Sequence, residues 1–388
     1  FDLHLIDKFS MNKNLLRYAK ILASTEFLDT NSSSPTYNEI VETQQELAGW
    51  LNIFNGYVKL TDVLSWGNAQ TTAALGFGFD MTDFLISSGS QKEFLTNSPN
   101  TQYTNSGDYG TLAFIKKHIE YTNRSSTEID DLKQIAFEYH ELYNGAGTPL
   151  GTEYLDITAA NGGYDLNTFN TDQKILYVGA FPANIRAWSA LFRGHLTART
   201  MESYTVYGVD DLGAICTEKK IFNINCPTLK GYVPIRLAWI NQWGTWDYYT
   251  FTQKSIKTIN TSGTTYSQLP GNWNDSAYYP SGYKGGKKSF RVNAVEKIKM
   301  NSDFVTETNS EWFEELVNSP EIYILKEWES PTTVGAIQIG FRQTLLNQYS
   351  TPVRLTSTSF TKKTVANDKL IQYTFEVEKS KTSRTQSI

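Results

Sequence analysis

Six carboxylates occupy the positions of this sequence where acid–base chemistry is easiest to envisage. They are Asp247, Asp275, Asp303, Glu311, Glu314 and Glu315. Cleavage of a glycosidic bond requires two carboxyl groups at a fixed separation, and no spacing among these six demands that arrangement. The three glutamates fall in the first turn of a predicted helix, where negative charge complements the helix dipole. We therefore predict a protein that is not an enzyme and has no catalytic residues.

The sequence lacks the common motifs for nucleophilic catalysis and metal binding. Ser189 and Ser255 lie outside any Gly-x-Ser-x-Gly setting, and no Gly-x-Gly-x-x-Gly loop follows a predicted strand. Four widely separated histidines form no zinc motif; they are His4, His118, His140 and His195. The sequence thus predicts no metal and no cofactor.

Two cysteines, Cys216 and Cys226, lie ten residues apart. We interpret them as isolated thiols that pack as small apolar side chains in the core. A disulfide across a hairpin is the alternative that the sequence leaves open.

The charge and composition of the chain exclude several classes of protein. The 388 residues include 35 Lys and Arg against 40 Asp and Glu, a net charge of −5, so we expect no direct binding of nucleic acid through a basic surface. No apolar run approaches the roughly 18 residues of a membrane helix, so we predict no membrane span. The 23 Tyr, 21 Phe and 9 Trp favour strands and contact surfaces.

Residues 1–150 are predicted to form a mixed α/β portion. Apolar spacing predicts helices at residues 13–23, 42–54 and 127–142. Residues 88–108 are rich in Ser, Asn, Gly and Thr, which predicts a long surface loop or insertion. The Gly- and Pro-containing residues 144–149 mark the clearest boundary in the chain.

Beyond this boundary the sequence predicts a mainly β protein with a few short helices. Short apolar runs at residues 153–158, 174–178, 202–207 and 219–225 indicate strands of a central unit at 151–230. A C-terminal unit at 231–388 completes a pair of β-sandwich or barrel-like units.

Two elements of the C-terminal unit are predicted with particular clarity. Residues 370–378 alternate apolar and polar side chains, as in a strand with one buried face, and residues 353–355 are its predicted neighbour. One helix is predicted at residues 310–317, preceded by a capping box at 308–311.

An aromatic hairpin within residues 232–255 contains our structural and interface candidates. They are Trp239, Asn241, Trp243, Gly244, Trp246, Asp247, Tyr248 and Tyr249. We predict a positive φ at Gly244, and that Asn241 and Asp247 accept hydrogen bonds from backbone donors of the turn. Some of the aromatic side chains are expected in the core, and the remainder at an interface or a sugar-binding face.

The hairpin sequence resembles a signature of virion structural proteins from tailed bacteriophages, a family common in phages of Bacteroidetes and in marine phages. The signature is an apolar strand, then Leu/Ile-Asn-Arg/Gln-x-Gly-x-Trp/Phe-Asp, then an aromatic strand. Gln242 stands where Arg is usual. Further pieces agree in order at residues 175–184, 302–319 and 352–370, so the resemblance covers roughly residues 153–388.

The resemblance implies a mechanical role in the tail, baseplate or neck of a virion that assembles in the bacterial cytoplasm. Identical subunits and other virion proteins would be its partners. The alternatives are a receptor- or carbohydrate-binding tail fibre or adsorption protein that recognises a host surface glycan, and, third, a polysaccharide depolymerase. A basic stretch at residues 284–288 is interpreted as a solvated loop tip, with an acidic subunit or lipopolysaccharide as alternative contacts.

Overall fold

More than half of the residues that the computed structural model describes lie in strands, so the mainly β class is confirmed. The described residues are 16–19, 22–46, 51–54, 56–57, 84–86, 91–116, 132–141, 149–156, 175–210, 212–225, 232–271, 283–307, 309–325, 350–357, 360–361 and 371–380. Among them, no helix has the length and apolar character needed to cross a membrane.

The N-terminal elements are strands where the sequence predicted helices. Strand β1 (Leu16–Ala19) pairs with β4 (Leu51–Phe54), and β2 (Leu22–Leu28) pairs with β3 (Ile40–Glu46). The helices predicted at 13–23 and 42–54 are therefore wrong. Short apolar runs fit a helical and an extended period about equally well, and antiparallel pairing decides between them here.

The next part of the chain builds one core from two sheets. Its elements are β5 (Leu85–Ile86), β6 (Thr101–Asn105), β7 (Thr111–Lys116), β8 (Gln134–Glu141), β9 (Pro149–Asp156), β10 (Ile175–Gly179), α1 (Pro182–Trp188), α2 (Ala190–Ala198), β11 (Met201–Val209) and β12 (Lys220–Asn225). A five-stranded sheet has the order β6-β12-β11-β8-β9, and a three-stranded sheet the order β10-β7-β5. Apolar side chains of both sheets share one cluster, the first core.

The five-stranded sheet corrects three expectations. Strand β8 replaces the helix predicted at 127–142, because its buried Ile135, Phe137 and Tyr139 alternate along a strand paired on both sides. Residues 91–105 are not a surface loop, since Phe94 is buried and β6 is an edge strand of the sheet. Strands β8 and β9 pair with each other in this sheet, and residue 150 lies in β9. The boundary predicted at residue 150 therefore falls within one sheet.

The predicted strands of the central unit are confirmed as β9, β10, β11 and β12. Cys216 is buried beside this sheet. Cys226 lies outside the described residues, so the state of the pair stays a prediction.

The C-terminal part forms a seven-stranded sheet with one helix against it. Its elements are β13 (Ile235–Ile240), β14 (Trp246–Phe251), β15 (Ile256–Gln268), β16 (Gly286–Asn301), α3 (Asn309–Asn318), β17 (Ile322–Leu325), β18 (Ser350–Leu355) and β19 (Thr374–Lys379). The strand order is β14-β13-β17-β18-β19-β16-β15. Trp312, Phe313 and Leu316 of α3 pack into the second core that this sheet builds.

The predicted features of the C-terminal unit are largely confirmed. Helix α3 covers residues 310–317, although Thr308 of the predicted capping box lies outside the described residues. Tyr373, Phe375 and Val377 are buried, whereas the residues between them are exposed or half-buried, as the alternation predicted. Strand β18 is the predicted neighbour of β19.

Candidate interaction site

The turn between β13 and β14 has the conformation that the sequence predicted. Gly244 has φ of 76°, in the left-handed region that glycine occupies without a steric penalty. The Asn241 Oδ1 atom accepts hydrogen bonds from the backbone N–H groups of Trp243 and Thr245, at 3.1 and 3.0 Å. The two strands pair in register from Ile240 with Trp246 onward. Local side-chain chemistry therefore defines this hairpin.

The same turn anchors the C-terminal sheet to the first half of the chain. The carbonyl oxygen of Leu95 accepts hydrogen bonds from Asn241 Nδ2 at 2.8 Å and from Thr245 Oγ1 at 2.9 Å. Trp243 is buried against Phe84, with 5.1 Å between ring centroids. The turn is thus an internal docking point of the chain.

Asp247 accepts hydrogen bonds from side chains, two of them on distant elements, rather than from backbone donors of the turn as predicted. Its Oδ1 atom accepts from Thr96 Oγ1 at 2.7 Å and its Oδ2 atom from Trp312 Nε1 at 2.8 Å. Burial raises the pKa of this carboxyl to about 6, and the hydrogen bonds from Thr96 and Trp312 limit that rise. Asp247 therefore holds α3 and the segment before β6 against the hairpin.

A buried ion pair joins the two cores beside this hairpin. Arg236 of β13 lies 3.2 Å from Asp108 Oδ2, and both side chains are almost fully buried. Thr250 Oγ1 donates to the same carboxylate oxygen at 3.0 Å, and Arg236 Nε donates to the Tyr109 carbonyl at 3.0 Å. The guanidinium also lies 4.5 Å from the ring centroid of Phe181. This network fixes the position of β13 relative to the loop between β6 and β7.

The aromatic candidates belong mainly to the interior of the chain. Trp239 is fully buried and packs on Trp312 at 5.2 Å between ring centroids. Tyr249 contacts Phe313 of α3 at 4.9 Å, and Tyr248 contacts a ring of the first core. Trp246 is half-buried. All eight candidate residues are brought together, and they hold elements of this chain together.

The other carboxylates and nucleophiles are not brought into one cleft. Asp303 accepts from Gln253 and Glu315 accepts from Asn97, in separate surroundings. Ser189 caps α2 by accepting from the Phe192 N–H at 2.8 Å. Asp275 lies outside the described residues. Within the described part of the chain, no three His, Cys, Asp or Glu side chains are grouped as metal ligands would be.

A groove of about 530 Å³ opens between the edge strands β6 and β14. Tyr248 and Tyr249 line its wall, and Tyr103 and Phe304 are exposed where they border it. Asp303 is also part of the lining. Aromatic rings beside a few polar groups suit a small neutral ligand or a sugar.

A long exposed feature of the C-terminal part is a basic ribbon, which we define as residues 256–301: β15, β16 and the residues between them. The two strands pair from Ile256 with Lys299 to Gln268 with Gly286. Only residues 297–301 of β16 pair with β19, and Lys297 lies opposite Thr258 of β15. Residues 259–268 of β15 therefore extend beyond the rest of the sheet, by about 33 Å at 3.3 Å per residue. Every residue of β15 before Gln268 is exposed.

The basic ribbon differs in charge from the rest of the chain. It contains seven Lys and Arg and two Asp and Glu, a net charge of +5, so the remainder carries −10. Exposed apolar side chains accompany these charges, including Ile259, Tyr266 and Phe290, the last being 70% exposed. The sequence analysis singled out only residues 284–288. Two signals in the sequence would have indicated the ribbon. Residues 256–301 carry a net positive charge, and residues 260–265 are polar or Gly at every position, which is typical of a strand exposed on both faces.

No family model, curated protein or solved structure matches this chain. The function proposed below therefore rests on the geometry of the chain and on the sequence resemblance described above.

The turn geometry gives a first testable prediction. We expect Gly244→Val to lower the free energy of unfolding by about 1–3 kcal/mol, because a β-branched residue is strained at positive φ. Urea denaturation measures the change. Gly194→Ala is the matched control: this helical glycine has open space around an added Cβ, and alanine should stabilise α2 by about 0.5–1 kcal/mol. Equal effects of the two substitutions would contradict the predicted role of the turn.

Proposed function

We propose that this protein is a non-enzymatic structural subunit of a tailed-phage virion, which forms ring or baseplate-type contacts in the tail or neck. The basic ribbon is the single observation that carries this proposal. A two-stranded hairpin is marginally stable alone in water, so a ribbon that leaves its sheet for about 33 Å gains most from a neighbouring molecule that covers it. The resemblance of residues 153–388 to virion proteins supports the placement in a phage particle.

The composition of the ribbon supports an association role. Obligate assemblies bury roughly 2,000 Å² or more and use aromatic and apolar side chains in the buried part. Phe290 and Ile259 are large apolar side chains that this chain leaves mostly exposed. The basic charge of the ribbon also complements the acidic remainder of an identical subunit.

Truncation of the ribbon tests the proposal. Thr258 and Lys297 are paired opposite each other, so an Asn-Gly turn in place of residues 259–296 closes a short hairpin and leaves the pairing with β19 in place. We expect the full chain to form an oligomer and the truncated chain to remain a monomer with its cores folded. Sedimentation velocity gives the mass, and circular dichroism the folded state.

The groove variant Tyr103→Ala is the matched control, since it removes an exposed aromatic side chain elsewhere and should leave the oligomer intact. A full chain that stays monomeric at 50 µM would contradict the proposal. So would a truncated chain that assembles as well as the full chain.

A receptor- or carbohydrate-binding adsorption protein is the second candidate, and the groove is the observation that favours it. Tyr103 and Phe304 offer exposed rings beside polar side chains such as Asn100 and Asn309. Binding of host surface polysaccharide that disappears in the Tyr103→Ala control, with the oligomer unchanged, would favour this candidate.

A further inference from the structure

A second ribbon, formed by β2 and β3 with their connecting loop, has the opposite charge. We define residues 22–46 as the acidic ribbon; they contain five Asp and Glu and no Lys or Arg. Among the described strands, β2 and β3 form a separate two-stranded sheet, paired from Leu22 with Glu46 to Leu28 with Ile40. The chain therefore carries ribbons of net charge −5 and +5.

The acidic ribbon has an ordered end with exposed apolar side chains. Asp29 accepts from Thr36 Oγ1 at 2.7 Å and from the Asn31 N–H at 2.9 Å, which holds the loop between the strands. Leu28 and Ile40 are paired with each other and both are exposed, Ile40 to 72%. Apolar side chains on an exposed strand pair are suited to contact with another molecule.

The basic ribbon offers a strand edge to receive such a partner. Strand β15 lies last in the seven-stranded sheet, so among the described strands only β16 borders it. Edge strands are often protected by charged side chains, but the thirteen residues of β15 carry one, Lys257. The charges of the ribbon lie instead mainly on β16 and the adjoining loop, including Lys287 and Arg291. A strand from a neighbour can therefore approach β15 while its acidic side chains face a basic ribbon.

We propose that the acidic ribbon of one copy of this chain binds the basic ribbon of the next copy, head to tail. The inference rests on the proposed function and names its subunit contact. A contact between two different surfaces of identical subunits closes into a ring when the rotation between copies permits, and otherwise gives a filament. Opposite charge brings the ribbons together and disfavours contact between two ribbons of the same kind. The apolar side chains of the two ribbons then provide the buried contact.

Charge reversal tests the contact on the full chain. The first variant carries Lys287→Glu and Arg291→Glu on the basic ribbon; the second carries Glu26→Lys and Glu39→Lys on the acidic ribbon. All four side chains lie on exposed or half-buried ribbon positions, so the cores should stay folded. We expect each variant alone to associate at least tenfold more weakly than the original chain in sedimentation equilibrium.

Mixing the two variants is the decisive measurement. The first variant keeps an unchanged acidic ribbon and the second keeps an unchanged basic ribbon, so an equimolar mixture should form a heterodimer through that one contact, with the affinity of the original chain. A single chain that carries all four substitutions has ribbons of net charge +1 and −1, and it should associate no more strongly than either variant alone. Lys133→Glu with Arg186→Glu, two exposed positions away from both ribbons, is the control for a change in net charge and should leave assembly unchanged.

The outcomes separate this inference from the proposed function. If the charge variants assemble as well as the original chain, or if their mixture does not form the heterodimer, the ribbon-to-ribbon contact is wrong, although a subunit role stands. If the original chain is a monomer at 50 µM, the proposed function fails first.

Discussion

Replacement of Asp108 by Ala is expected to lower the free energy of unfolding by about 3–5 kcal/mol. The substitution leaves the guanidinium of Arg236 buried without its carboxylate, and an unpaired buried charge is among the most destabilising changes in a folded protein. Only 6% of the Arg236 side chain is exposed, and no described atom accepts from its Nη2 atom. Urea denaturation at pH 7 measures the change.

An exposed ion pair of the same length provides the matched control. Arg354 and Glu378 are also 3.2 Å apart, but the Arg354 side chain is 73% exposed. We expect Glu378→Ala to cost no more than about 1 kcal/mol, because the largely exposed guanidinium of Arg354 remains solvated when its partner is removed. The double variant Asp108→Leu with Arg236→Met should recover much of the loss, since it removes both buried charges. An Asp108→Ala effect as small as that of Glu378→Ala would contradict the predicted role of the pair.

Asp247 is expected to make stability depend on pH in the direction opposite to most carboxylates. Burial raises its pKa to about 6 in the folded chain, compared with about 3.9 when unfolded. Between these values the folded state binds the proton more tightly, so the contribution of Asp247 to stability is greatest below about pH 4 and is lost as the pH rises through about 6. Two pKa units correspond to a loss of about 3 kcal/mol at most.

The variant Asp247→Asn isolates this dependence. Asparagine retains an acceptor for Thr96 or Trp312 and carries no charge, so its own stability has no contribution from titration at this position. We expect the unfolding free energy of the original chain, minus that of the variant, to decrease between pH 4 and pH 7. Chemical denaturation in buffers of constant ionic strength measures both chains. A difference that stays constant, or that increases with pH, would contradict the raised pKa.

Features that depend on neighbouring residues in sequence could be predicted. The alternation along residues 370–378 records one buried and one solvated face, and both faces are observed. The turn at Asn241 and Gly244 follows from side-chain and backbone preferences within four residues. Such patterns can be recognised in the sequence because the residues that determine the local structure are close neighbours along the chain.

Features that depend on distant partners could not be predicted. Asp247 was assigned to its own turn, but its donors come from positions 151 and 65 residues away. The helix expected at 127–142 is a strand because β9 and β11 pair with it from both sides. Thr104, in a stretch that composition predicted to be a surface loop, is buried with its hydroxyl bonded to Asp108. Polar composition does not reveal that pairing partners exist.

The place of β19 between β18 and β16 has a consequence for chain synthesis. Residues 374–379 leave the ribosome after every other described strand, yet they form the link that joins the basic ribbon to the central strands of its sheet. A chain whose translation stops earlier has the ribbon sequence but lacks the strand that orients it. In such incomplete chains the basic ribbon would have no strand to fix its orientation relative to the rest of the sheet. If the ribbon is the subunit contact that we propose, the order of strands in the sheet delays assembly until synthesis has passed residue 379.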